Sequence, residues 1–313
     1  HPEQEHDYRT AFQRDRDRIL HSKSFRRLKR KTQVFLAPEG DHYRTRLTHT
    51  LEAAQIGRTV ARALHLNEDL VEAIALGHDL GHTPFGHAGE FVLNKVYENG
   101  FHHAEHGLRV VDLLESRRNE PGLNLTYEVR DGILNHSKGK SILQGLHQQR
   151  PETLEASVFS VCDAIAYINH DIDDAIRGGV ITVADLPPAC VKLLGETTSD
   201  RINTMVVALI RGSVAGEIRM EPEVLDATNE LRRYMYSKVY PCDTIHREID
   251  KAMKLLREMY EHFLEHPDEL PSPVCPDDSV ARRAVDFIAS MTDEFALQLY
   301  ARIFFPLKWR GFS

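Results

Sequence analysis

Sulfur is scarce in this chain. Its 313 residues hold four cysteines, Cys162, Cys190, Cys242 and Cys275, widely spaced and without a CxxC pair. That spacing excludes a disulfide framework and a thiolate zinc site, and reads as reduced thiols of a cytoplasmic protein. Long apolar runs are also missing. None approaches the roughly 20 residues that span a bilayer, so a membrane-embedded function is excluded. No signal-peptide pattern opens the chain, which starts at His1 rather than at a methionine. A glycine-rich phosphate loop is absent, so any bound phosphate must be held by a metal or by basic side chains. Alternating strand patterns are almost absent, apart from a short hairpin expected near 217–221. No internal repeat or low-complexity tract is visible.

What remains is an ordinary globular composition, with 42% hydrophobic and 27% charged residues. A formal charge of −8 argues against general nucleic-acid binding, though it leaves a single-stranded nucleic acid open. The charge is unevenly spread. "RDRDRILHSKSFRRLKRK" (14–31) is strongly basic and has two readings: a solvated or subunit-facing helix, or a positive field for a small polyanionic ligand.

Helical periodicity dominates. Helices are expected over 46–66, 67–81, 87–100, 104–116 and 153–179, then over 200–216, 222–240, 244–266 and 278–304. Loops are expected at 116–125, 137–151, 179–188 and 266–278, none biased enough to be an interdomain linker. The expectation is one all-α domain over 1–313, with a site-bearing core at about 40–180 and a supporting helical part at about 181–313.

The stretch "HDLGHTPFGH" (78–87) holds three of the eighteen histidines and ends an apolar helical run in a Gly/Pro-rich bend. Adjacent His78 and Asp79 diverge by about 100° on a helix, yet both can reach one cation where the helix ends. Imidazole plus carboxylate suits a hard or borderline divalent ion. Two ligands are too few. His49 has small neighbours, Ala53 and Ala54, that allow close packing. Asp163 lies in an apolar stretch where a lone carboxylate is costly. Each has a plain structural reading, as a satisfied core histidine or an Arg-paired carboxylate. The ordered set H…HD…D on successive helices is far more specific than the HD pair alone.

One further pattern is geometric. Asp163, Tyr167 and Asp171 are spaced by four, so each step turns about 40° and all three share one face over about 12 Å. That suits a metal carboxylate, a ring against a sugar and an acceptor for a hydroxyl. An ordinary amphipathic face would look the same.

The stretches "HSKSFRRLKRKTQVF", "RTRLTHTLEAAQIGR", "GHDLGHTPFGHAGE", "FHHAEHGLRVV", "NHSKGK", "DAIAYINHDIDDAI" and "MTDEFALQLY" resemble the HD superfamily of metal-dependent phosphohydrolases. Within it they are most similar to the bacterial dGTPase-like deoxynucleoside triphosphate triphosphohydrolases. The resemblance covers most of the chain. It implies an HD-domain helical bundle with additional C-terminal helices, and hydrolysis of a dNTP, dGTP-like, to deoxynucleoside and tripolyphosphate. It implies His49, His78, Asp79 and Asp163 as ligands of one divalent metal. Mg²⁺ or Mn²⁺ stand first, with Fe²⁺, Ni²⁺ or Zn²⁺ also compatible with this donor set. A leaving 5′-oxygen calls for a general acid, and His82, His87 and His103 are the candidates. His103 is the choice, oriented by Glu105, with Glu90 as the alternative partner, because Ala104 and His106 depart from the family's usual Asn and Gln. Gln33, Tyr167 and Asp171 match sugar-binding positions, and Arg46 a phosphate-contacting arginine. The family also implies a homo-oligomer, often a hexamer, and in some members a regulatory dNTP. Another HD-type phosphohydrolase or phosphodiesterase, or a non-catalytic nucleotide sensor, are the competing functions.

Overall fold

The computed structural model describes residues 3–33, 44–118, 120–138, 151–214 and 216–306. Among them are fourteen α-helices and one two-stranded hairpin. In chain order the helices are α1 Ala11–Leu20, α2 Lys23–Arg27, α3 Arg46–Ala63, α4 Glu68–Gly77, α5 Gly86–Val96, α6 His103–Arg109 and α7 Tyr127–Asn135. They continue as α8 Leu154–Arg177, α9 Pro188–Leu194, α10 Thr198–Gly212, α11 Pro222–Tyr234, α12 Asp243–Glu265, α13 Val280–Ser290 and α14 Asp293–Phe304. The protein is all-α.

Capping residues set the starts of the site helices. Thr45 accepts from the Thr48 amide at the start of α3, Asn67 from Asp69 and Leu70 at α4, and Thr153 from Ala156 at α8. Each cap satisfies a backbone donor that the first turn leaves unpaired, a contribution of about 1 kcal/mol. The 24-residue α8 is the central strut, packed against α3, α4, α7 and α10. Its Phe159, Ile165 and Ile172 are fully buried, each contributing about 1.5–3 kcal/mol by leaving water. Gly57 lets α3 close on its neighbours: a Cβ there would meet Val71 Cγ1 at 2.8 Å.

Buried apolar side chains fall into two clusters. The first gathers α1–α4, α7–α11 and the segment up to Val239. The second joins α12–α14 to Phe85, Val92, Leu93, Tyr97 and Phe101. Residues 181–239 thus share the site-bearing core, and α5 belongs to the C-terminal cluster.

Several local expectations change. The run 278–304 is two helices, broken because Thr292 caps α14 by accepting from the Phe295 amide. The expected hairpin at 217–221 reduces to a bridge between Val214 and Glu217, whereas 116–121, expected as loop, pairs Ser116 with Pro121. Helices α7 and α9 were not visible as periodic patterns. Most of the loop expected at 137–151 lies outside the described residues. The basic 14–31 segment forms α1 and α2, and much of its charge is matched internally: Arg16 faces Glu72 at 3.3 Å and Arg18 faces Asp15 at 3.1 Å.

Candidate active site

The site forms where α3, α8 and the end of α4 converge. His49 comes from α3, Asp163 from α8, and His78 and Asp79 from the turn after Gly77. Asp163 Oδ1 lies 3.0 Å from His49 Nε2 and 3.5 Å from His78 Nε2. Asp79 Oδ1 lies 3.1 Å from His78 Nε2, and Asp79 Oδ2 accepts from Arg46 Nη1 at 2.9 Å. The donor atoms of His49, His78 and Asp163 sit within 4.8 Å of one another. Asp79 stands at their edge, shared among His78, His82 and Arg46.

The donor set fits a divalent cation. His78 Nδ1 donates to the Ala75 carbonyl at 2.7 Å, which aims Nε2 at the carboxylates. His49 Nδ1 meets His170 Nδ1 at 3.1 Å, which likewise aims Nε2 inward. Such outer partners are the usual means of orienting metal-binding imidazoles. Burial works against a charged His78, but Asp79 and Asp163 beside it outweigh that and push it up to about 9. Burial likewise opposes ionised Asp79 and Asp163, yet their cationic and imidazole neighbours hold both well below the usual carboxylate range. The proton on His78 therefore stands where a bound cation would place its charge, and metal binding would release it.

A second cluster lies beside the first. The rings of His82 and His103 stack at 3.9 Å and 16°. This approach depends on Gly81, where a Cβ would meet the His103 carbonyl at 2.1 Å and the Gly107 amide at 2.3 Å. Glu90 accepts from His103 Nδ1 at 2.8 Å and from its backbone amide at 2.9 Å. Glu105, chosen from sequence as the partner, is exposed: it lies two residues beyond His103 on α6, on the side of the helix away from the ring. The structure gives the orienting position to Glu90. Although burial opposes it, contact with His103 and His87 drives the Glu90 carboxyl well below its ordinary range. His82 is held neutral by burial and by Arg46 and His103. Its Nε2 faces Asp79 at 3.2 Å, and its buried Nδ1 has no partner among the described residues. His87 is half-exposed, 3.5 Å from Glu90.

Both clusters open into one cleft, the first through His49, Asp79 and Asp163 and the second through His82, His87 and His103. Gln33, Arg46 and Tyr167 line it as expected, with the buried Gln33 Oε1 unpartnered among the described residues. Arg46 is less free than a phosphate ligand would be, because it is 1% exposed and committed to Asp79. Asp171 does not line the cleft. Its carboxylate accepts from the Tyr240 hydroxyl, so Tyr240 stands at the wall in its place. Arg232, Met235 and Tyr236 join Tyr240 there. A π-helical turn over Met235–Val239 carries that wall, and such widened turns are common at functional sites. No periodicity signals these residues, because they face the cleft only once α11 folds back. His136 was also missed as a site residue: its Nε2 lies 3.1 Å from His103 Nε2. Its stretch, "NHSKGK", was visible; its placement was not.

An all-α bundle bringing His and Asp donors together from α3, the end of α4 and α8, with a second histidine–carboxylate pair beside them, fits an HD-type phosphohydrolase. Residues 46–168 match the HD domain and residues 218–302 the phosphohydrolase-associated domain. A deoxyguanosinetriphosphate triphosphohydrolase-like protein of Caldanaerobacter subterraneus is 52% identical, over 98% of this chain and 88% of its own length. Another from Desulfatibacillum aliphaticivorans is 51% identical over 95% and 88%, and one from Clostridium tetani 44% over 97% and 88%. The chain belongs to this family of deoxyguanosinetriphosphate triphosphohydrolase-like proteins. The fold is shared with a hypothetical protein from Aquifex aeolicus, at TM-score 0.52 and 21% identity, over 93% of this chain and 71% of that one. No helix among the described residues is long and apolar enough to cross a membrane.

Proposed function

We propose that this protein hydrolyses deoxynucleoside triphosphates, dGTP-like ones among them, to deoxynucleoside and tripolyphosphate. The observation that carries the reading is one cleft lined by His49 and Asp163 of the donor set, by His103 of the Glu90–His103 pair and by Tyr167. His49, His78, Asp163 and the adjacent Asp79 would hold a divalent ion, Mg²⁺ or Mn²⁺ first, which would supply positive charge for phosphate oxygens and would acidify water. The chain's own groups do the rest. Asp79 and Arg46 brace each other, so that the carboxylate keeps its place at the edge of the donor set. Glu90 holds the proton on His103 Nδ1, which turns Nε2 toward the cleft. His103 then delivers a proton to the departing 5′-oxygen, a poor leaving group unless protonated. Tyr167 closes the space beside the sugar, and Gln33 Oε1 is an acceptor for a sugar hydroxyl. The family kinship further supports a cytoplasmic homo-oligomer, with a hexamer and a regulatory dNTP as the forms to test for. It also supports treating residues 1–313 as one functional unit.

Chromatography of products from four dNTPs and four NTPs, with and without Mg²⁺ or Mn²⁺, tests the reading. In ¹⁸O-water the label is expected in tripolyphosphate, with unlabelled deoxynucleoside. Pyrophosphate plus a deoxynucleoside monophosphate, or stepwise orthophosphate, would overturn it. Binding without turnover would mean a nucleotide sensor.

A further inference from the structure

Asp293 lies far along the chain from the HD motif, in the first turn of α14, yet its carboxylate reaches the catalytic region. It is 6% exposed. Its Oδ1 accepts from the Phe85 amide at 2.9 Å. Its Oδ2 accepts from the Thr32 amide at 2.9 Å and from the Thr32 hydroxyl. Those partners adjoin the site: Thr32 precedes Gln33, and Phe85 lies between His82 and His87.

Both segments need holding. Phe85 has φ 60° and Gly86 has φ 58°, so the bend carries two consecutive left-handed residues, the first with a bulky side chain. Such backbone persists only where its surroundings over-determine it. Residues 31–33 lie extended beside the start of α3, with Thr32 bridging Thr45 and the Arg46 amide donating to the Lys31 carbonyl at 3.1 Å. The two segments meet at Arg46. A Cβ on Gly86 would lie 3.2 Å from both Arg46 Nη2 and the Gln33 carbonyl. A displacement of either segment is therefore felt at the guanidinium that braces Asp79. Lys31 ties the same corner to α13, its Nζ donating to the Ala289 carbonyl at 2.8 Å and to the His82 carbonyl.

We infer that Asp293 is a positioning residue of the active site, locking the Gln33 segment and the His82–His87 bend into register around Arg46. The α12–α14 unit is thereby part of the catalytic apparatus without touching substrate. The inference rests on the proposed dNTP hydrolysis for its kinetic readout, and on the hydrogen bonds alone for its structural one.

The test compares wild type with Asp293→Asn and Thr32→Val. Asn keeps the shape but turns an amide donor toward a backbone N–H. Val removes only the hydroxyl contact. Kinetics, metal content, circular dichroism and amide exchange are measured on the same samples. Asp293→Asn is expected to keep its metal and helical signal while kcat falls about tenfold or more, since misplacement of about 1 Å can cost 10²-fold. The dGTP-to-GTP ratio of kcat/KM is expected to fall as well, because Gln33 moves with Thr32. A merely structural carboxylate would lower the folded fraction and leave kcat per folded molecule and that ratio unchanged, which would overturn the inference. Should Asp293→Asn fail to fold, Thr32→Val carries the same expectation in milder form. Should wild type hydrolyse no deoxynucleotide, the reaction proposed above falls. Amide exchange over residues 31–33 and 82–87 then decides this inference separately: faster exchange in Asp293→Asn supports it, and unchanged exchange overturns it.

Discussion

Nδ1 of His49 lies 3.1 Å from Nδ1 of His170, whose Nε2 in turn lies 2.8 Å from the Glu52 carboxylate. The order of donors follows. Glu52 accepts from His170 Nε2–H, so a neutral His170 offers a bare Nδ1, which accepts from His49 Nδ1–H. In that arrangement the His49 Nε2 lone pair is available to the same cation as the Asp163 carboxylate, whose Oδ1 lies 3.0 Å away. His170 is kept on the neutral side mainly by burial. Replacing His170 with Ala is expected to weaken Mn²⁺ binding by about 10–100-fold with the fold retained, the scale for losing an outer partner of a metal ligand. Titration calorimetry with Mn²⁺ checks it; unchanged affinity would remove His170 from the ligand-orienting chain.

Glu90 and Glu105 make opposite predictions. His103→Ala is expected to keep metal and nucleotide binding and to lose turnover by about 10²-fold or more. Glu90→Gln is expected to follow it in part, because an amide oxygen accepts from His103 Nδ1 more weakly than a carboxylate and holds the ring less firmly. Glu105→Gln, at an exposed position, is expected to match wild type. Steady-state kinetics of the three variants decide between the two carboxylates.

Gly81 has no room for a side chain. The atoms that an added Cβ would meet are backbone, at 2.1 and 2.3 Å, and cannot swing away. Gly81→Ala is expected to cost about 1–3 kcal/mol of stability and to separate the stacked rings of His82 and His103. Denaturant melts give the first quantity, and kcat per folded molecule the second.

Tyr240 keeps Asp171 from the cleft through one buried hydrogen bond. Tyr240→Phe removes a donor to a buried carboxylate and is expected to cost about 1–3 kcal/mol. KM for the deoxynucleotide is expected to change with it, since the same side chain lines the wall. A variant with wild-type melting and wild-type KM would show that neither link matters.

Glu52 predicts an acid limb in stability. Burial would raise its carboxyl, but His170 and Arg44 outweigh that and bring it down from 4.5 to about 2. A group depressed in the folded state contributes stability above its unfolded value and loses it as pH falls toward the folded one. The contribution is thus complete above 4.5 and fades between 4.5 and about 2. Its size is modest, because the side chain is 44% exposed and screened by water. Glu52→Gln is expected to melt lower than wild type at neutral pH, with the gap closing as pH falls through that window. A gap that stays constant with pH would mean that Glu52 acts through packing alone.

Helix periodicity and local chemistry carried much of the fold. Apolar spacing of three and four marked α3, α4, α8 and α12, because each buries one stripe of its own sequence. The same logic missed α9, which is short, and merged α13 with α14, because Thr292 acts through its side chain and not through any change in periodicity. Histidine and aspartate on successive apolar helices marked His49, His78, Asp79 and Asp163 as candidates, since buried polar groups of those types need a common partner. Pairings across elements had no such trace. Glu105 sits two residues from His103 on α6, about 200° around the helix, so it cannot meet that ring, whereas Glu90 meets it from α5 by a docking that no residue spacing encodes. Tyr240 reaches Asp171, and Asp293 reaches Thr32 and Phe85, across 69, 261 and 208 residues of chain. The amino-acid sequence by itself determined the longer amphipathic helices and which residue types on them carry chemistry. Only tertiary packing decided which carboxylate faces which donor, because hydrogen bonds act over about 3 Å and depend on how helices dock.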